Sequence, residues 1–144
     1  MSTNTVTKQG RTAVIYARAR GDSLDEENQF IQAQLRACHK WAESHRYTVA
    51  KPYIDQGKGA YRNMEEREGL KELLADSLSK QRSFDVIIYY SPSRLFRDLF
   101  EFETFRVRLE QEHVKLICVT DGWLRQYKRV SQGAISRPTG ISVS

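Results

Sequence analysis

Two apolar runs, Ala13-Val14-Ile15-Tyr16-Ala17 and Val86-Ile87-Ile88, constrain this chain more than anything else in it. Each is too short for a buried helix, and neither alternates with polar residues. Such runs read as strands covered on both faces, and that implies a mainly parallel sheet between layers of helix. The segments between them agree. Ile31, Leu35, Cys38 and Ala42 recur at helical spacing and predict a helix over about 26–45. Asp25, Glu26 and Glu27 load its start with the sign the helix dipole favours. Thr48–Asp55 reads as a second strand, in which Pro52 demands a sheet edge or a bulge. Leu70, Leu73, Leu74 and Leu78 predict a helix from about Glu65 to Lys80. Asp85–Tyr90 and Val114–Thr120 complete the strands. Alternation of this kind specifies an α/β fold of three layers, with a four- to five-stranded sheet flanked by helices.

The stretch Tyr89-Tyr90-Ser91-Pro92-Ser93-Arg94-Leu95-Phe96-Arg97-Asp98 carries the chemistry. The strand ends there, Pro92 marks a turn, and Ser93 is a plausible N-cap. Leu95, Leu99 and Phe102 share one stripe, so a helix is expected over about 94–112. A second stripe, Phe96, Phe100 and Val107, points to burial on more than one side or to a partner. Arg94 and Arg97 then lie one turn apart beside the free N–H groups of a helix start, a site suited to phosphate. Two cations there oppose the macrodipole. Solvated surface arginines are the alternative.

In parallel sheets ligands bind beyond the carboxyl ends of the strands. Arg18 and Arg20 follow strand one, Asp55 and a glycine loop follow strand two, and Arg94 follows strand three. Arg67, at the start of the second helix, reaches the same edge. No glycine-rich phosphate loop of either common pattern is present.

Charge is uneven. The net charge is +5, and no acid follows Asp121, whereas Arg125, Lys128, Arg129 and Arg137 do. Residues 1–121 therefore carry only +1, and the excess lies on a basic tail that either contacts nucleic acid or is solvated. The domain is expected at 12–121, with a flexible leader over 1–11 and an irregular tail over 122–144. Cys38 and Cys118 are expected as buried free thiols in a reducing compartment. The three histidines show no metal-ligand spacing with them, so neither metal nor cofactor is expected. No stretch approaches a membrane span and the polar leader has no apolar signal core, which suggests a cytoplasmic protein without a membrane partner.

In order, the blocks Tyr16-Ala17-Arg18, Gln34-Leu35-Arg36-Ala37-Cys38, Asp55-Gln56-Gly57, Arg67-Glu68-Gly69-Leu70 and Ser93-Arg94-Leu95-Phe96-Arg97-Asp98 resemble the catalytic domain of serine site-specific recombinases, the resolvase and invertase family. The similarity spans about Ala13 to Asp121. The resemblance implies DNA as partner and a serine that attacks a phosphodiester to form a phosphoserine link. It also implies arginines that neutralise the transferring phosphoryl group without a metal. It carries Arg18, Arg67, Arg94 and Arg97 into that role, and Gln34 to a polar position nearby. Tyr16 is expected only to pack at the strand end.

The departures are as informative. The family reads Tyr-x-Arg-x-Ser, and here Arg20 stands at the nucleophile position, where no such attack is open to it. Gly59-Ala60 stands where a Ser-Gly pair is common, and Ser93 where Asp is common. Ser23 is an alternative nucleophile by a loop shift, or else a helix cap. Lys58 and Arg62, with Arg125, Lys128 and Arg129, are candidate DNA contacts. The resemblance also implies a long helix and a separate DNA-binding domain after the fourth strand. Only 23 residues follow Asp121, so recognition comes from elsewhere or the chain is truncated. The expectation is a catalytically impaired homologue that binds DNA phosphates. It would self-associate, or pair with and regulate a related active recombinase. The alternatives are an active recombinase domain using another serine, and a fold-only interaction module.

Overall fold

A computed structural model of the chain describes residues 11–57, 67–96 and 98–120. Strand β1 (Arg11–Ala19) leads to helix α1 (Leu24–Ser44), strand β2 (Tyr47–Gln56), helix α2 (Glu68–Ser77) and strand β3 (Val86–Tyr89). A single turn, α3 (Pro92–Leu95), precedes helix α4 (Leu99–Gln111) and strand β4 (Lys115–Cys118). The four strands form one sheet in the order β2-β1-β3-β4, and every pairing is parallel.

The apolar runs become the two central strands, buried on both faces. Ala13, Ile15, Val86 and Ile88 pack against Cys38 and Ala42 of α1. Val14, Tyr16, Ile87 and Tyr89 face the other way, onto Leu70 and Leu73 of α2 and Phe102, Phe105 and Leu109 of α4. Helices thus cover both faces, which gives the expected three layers. Cys38 is buried, and burial pushes its thiol up to about 12.

Strand β2 lies at the sheet edge and also carries a bulge, so both readings of Pro52 hold. Ala13 pairs with Val49, yet Ile15 pairs with Pro52, leaving two residues of β2 opposite one of β1. The extra residue reverses the alternation. Tyr47 and Val49 pack on the α1 side, whereas Tyr53 lies in the core on the α2 side. Asp55, two residues beyond Tyr53, follows it to that side and pairs with Arg18.

The single helix expected over 94–112 is two elements. Asp98, not Ser93, is the N-cap of α4, and its carboxylate accepts from the backbone N–H of Phe100 (2.7 Å) and Glu101 (3.2 Å). Ser93 lies inside α3. The break separates the stripes that continuity would have joined. Leu95 and Phe102 are buried, but Leu99 is 44% exposed. Phe96 turns into the core against Phe105, ring centroids 5.2 Å apart, while Phe100 and Val107 stay at the surface. The other boundaries agree to within a few residues, with α2 beginning at Glu68 rather than near Glu65 and ending at Ser77. Among the described residues no helix is long and apolar enough to cross a membrane.

Candidate phosphate site at the carboxyl edge of the sheet

Three elements bring Tyr16, Asp55 and Arg67 together on the α2 side of the sheet. The Tyr16 hydroxyl donates to Asp55 Oδ2 at 2.6 Å and accepts from Arg67 Nη2 at 2.8 Å. Arg67 Nε stands 4.0 Å from the same carboxylate oxygen. The guanidinium also lies against the rings of Tyr16 and Phe96, 5.5 and 5.2 Å from their centroids. Arg67 is 2% exposed and Asp55 6%. A buried cation of this kind is tolerated only when paired and fully hydrogen-bonded. Burial raises the Tyr16 phenol above its ordinary range, with Arg67 opposing and Asp55 adding to the shift. Tyr16 is therefore a neutral hydroxyl bridging carboxylate and guanidinium, not merely packing at the strand end.

Asp55 has a second task. Helix α2 begins after Arg67, which offers no side-chain cap. The Asp55 carboxylate reaches across from β2 and accepts from the backbone N–H of Gly69 (2.7 Å) and Leu70 (2.9 Å). A negative group on free N–H groups at a helix start is favoured by both hydrogen bonding and the dipole. The approach requires glycine. A Cβ on Gly69 would lie 2.5 Å from the Ile54 carbonyl oxygen.

Arg18, 3% exposed, sits within β1 rather than beyond it. Gln34 of α1 clamps its backbone, accepting from Arg18 N at 3.1 Å and donating to Arg18 O at 2.9 Å. Its guanidinium donates through Nη2 to the Ser93 carbonyl. Arg67 Nη2 donates to the Leu95 carbonyl, two residues on, at 2.6 Å. Both buried arginines thus hold the single turn α3, which carries the half-buried Arg94. Strand order in the sequence put Arg18, Arg67 and Arg94 at one edge and the resemblance added Gln34 nearby; these four lie around the ends of β1 and β3.

Arg20 and Ser23 belong to a different setting. Arg20 is exposed in the loop after β1. Ser23 is the N-cap of α1, its Oγ accepting from Glu26 N at 3.1 Å. Glu26 in turn accepts from Asp22 N at 2.6 Å and Glu27 from Gly21 N at 3.2 Å. The loop's far side is closed by Gly57, whose N–H reaches the Ala19 carbonyl at 3.1 Å from a backbone with φ of 91°. Lys58, Arg62, Arg97, Arg125, Lys128 and Arg129 lie outside the described residues. Among the described residues no group of three His, Cys, Asp or Glu side chains is placed to hold a metal ion.

The parallel sheet and its helix layers define the class: this is the fold of serine recombinase catalytic domains. The family model described as Resolvase, N terminal domain, matches residues 13–136, and the chain belongs to that family. Among solved structures, it is similar to the C-terminal catalytic domain of ISC1926 TnpA, an IS607-like serine recombinase. That likeness has 26% identity over 87% of this chain and 81% of the other, with a TM-score of 0.61. The N-terminal catalytic domain of TP901-1 integrase shares the fold at 20% identity, covering 88% and 97% of the two chains, with a TM-score of 0.67. A resolvase family site-specific recombinase from Streptococcus pneumoniae does so at 20% identity, covering 88% and 91%, with a TM-score of 0.66. No curated protein matches the chain.

Proposed function

We propose that this domain binds DNA phosphates through Arg18, Arg67 and Arg94, joined by Arg97, and lacks the nucleophile for strand cleavage. The observation that carries the reading is the pair Arg20 and Ser23. A guanidinium stands exposed where the family motif has serine, and the next hydroxyl along the chain caps α1. An arginine neutralises a phosphoryl group but does not attack it. Arg18 and Arg67 reach a phosphate by exchanging the carbonyls of Ser93 and Leu95 for its oxygens. Asp55 balances part of the crowded positive charge in its absence.

Duplex DNA should bind weakly and without sequence preference, with affinity falling steeply between low and moderate salt. Incubation with supercoiled DNA should leave no covalent adduct detectable by mass spectrometry. Arg20→Ser returns a hydroxyl and should yield trace cleavage at most. A phosphoserine on the wild-type chain overturns the impaired reading. Ser93 favours the active alternative, because its carbonyl already contacts Arg18 and its side chain is exposed.

The same domain self-associates, or pairs with a related recombinase, through α4. Leu99, Phe100 and Val107 are exposed there, with Phe100 at 78%. An apolar groove of about 190 Å³ between α2 and α4 adjoins them. Phe96 belongs to the core and contributes only to the lining of that groove. Sedimentation that stays monomeric at high concentration removes the homotypic form of this assembly.

A further inference from the structure

The corner where α1 meets β2 lies at the opposite end of β1 from the arginines of the candidate site. A nine-residue strand separates the two ends by about 25 Å. Four side chains form a column at this corner. The Arg11 guanidinium lies over the Tyr47 ring at 5.7 Å, and its Nη1 donates to the Tyr47 hydroxyl at 3.1 Å. Tyr47 stacks beside Trp41 at 5.7 Å, and Trp41 stacks on His45 at 3.8 Å with planes 9° apart. His45 Nδ1 donates to the Trp41 carbonyl at 2.8 Å. That bond fixes the ring flat on the indole and leaves the outer face of an exposed imidazole as the end of the column. Exposed Lys40 and Arg46 bracket Trp41 and His45 in the chain, Arg46 held at φ of 64°, in the left-handed region where a non-glycine residue is strained. Glu43 is the one acid in the turn from Lys40 to Arg46.

We propose that this corner is a second nucleic-acid surface, and that it takes a single strand. An unpaired base extends the column on the outer face of His45, and Lys40 and Arg46 neutralise the phosphates that flank it. A fixed stacking face beside several cations is the combination that single strands use, because every base has a face and every linkage a charge. A duplex hides its base faces and would use the cations alone. This surface is separate from the carboxyl edge and does not depend on what binds there.

The test is fluorescence anisotropy with labelled oligothymidylate and, separately, a labelled duplex, across a salt series. His45→Ala should weaken oligothymidylate binding about tenfold and leave duplex binding unchanged. Lys40→Ala with Arg46→Gly should flatten the oligothymidylate salt slope by about 0.7 per lost contact, with glycine chosen to relieve the strained backbone rather than add to it. Arg94→Ala should lower duplex binding only. Oligothymidylate binding that survives the corner variants but falls with Arg94→Ala overturns this inference and leaves the phosphate site standing. Corner variants that lose duplex and oligothymidylate equally overturn the single-strand assignment. Duplex binding that Arg94→Ala leaves unchanged counts against the phosphate site alone.

Discussion

Two clusters of charge stand at the carboxyl edge of the sheet and are built on opposite terms. Around Arg67 the charges are buried, and each touches a partner from another element: Tyr16 from β1, Asp55 from β2, the Leu95 carbonyl from α3. Around Arg20 they are exposed or half-buried and mostly local, with Ser23, Glu26 and Glu27 tied to backbone within six residues of one another and Glu27 alone reaching another element, accepting from Gln56 Nε2 of β2 at 3.4 Å. The first cluster joins the layers of the fold. The second shapes one loop. Residue type does not separate them; burial does.

The sharpest way to break this contrast is Arg67→Ala. Removing the guanidinium leaves Asp55 and Tyr16 buried without their cation and α3 without one of its ties. Stability should fall by about 3 kcal/mol in urea unfolding. A loss under 1 kcal/mol would mean the cluster is no more structural than the loop.

Gly69→Ala tests the same cluster from the helix side. The added methyl meets the Ile54 carbonyl and pushes α2 off β2, lengthening the bonds to Asp55. A cost of about 2 kcal/mol is expected, read by thermal unfolding. Ser23→Ala removes a helix cap from the loop cluster and should cost about 1 kcal/mol. Under the proposed function it changes nothing in DNA binding or adduct formation. Arg20→Ala is the smallest change to the fold, within about 0.5 kcal/mol. Its effect should appear instead in the duplex salt slope, shallower by about 0.9 for one lost phosphate contact. A large stability loss for Arg20→Ala, with an unchanged salt slope, would reverse the assignment of the two clusters.

Much of this arrangement was legible in the sequence. Continuous apolar runs at Ala13–Ala17 and Val86–Ile88 specified buried parallel strands, and the arginines collected at the edge where parallel sheets bind ligands. Three things were not legible. One was the break before α4, although Asp98 is a strong capping residue with two backbone N–H groups in reach. The Leu95, Leu99, Phe102 spacing fitted an unbroken helix equally well, and periodicity cannot report a cap that interrupts it. The second was the role of Tyr16. A tyrosine in an apolar run looks like core, and its hydroxyl acquires partners only when residues 39 and 51 positions away arrive. A helix starting without a capping side chain at Arg67 was the available signal that an outside carboxylate is needed. The third was the side of the sheet on which Asp55 lies. Strict alternation groups it with Tyr47 and Val49, and only the pairing with β1 shows the alternation to be reversed.

That reversal gives β2 a property best described as slack. Between Val49 and Pro52 the strand holds one residue more than its partner needs. Deleting Ala50 or Lys51 would straighten the ladder, leaving Tyr47 and Val49 against α1 and Asp55 opposite Arg18. Deleting Ile54 instead would turn the Asp55 carboxylate toward α1, strip α2 of its cap and leave Arg67 without its counter-charge. Within ten residues of one strand, then, shortening by the same single residue is absorbed at one point and ruinous three or four positions later.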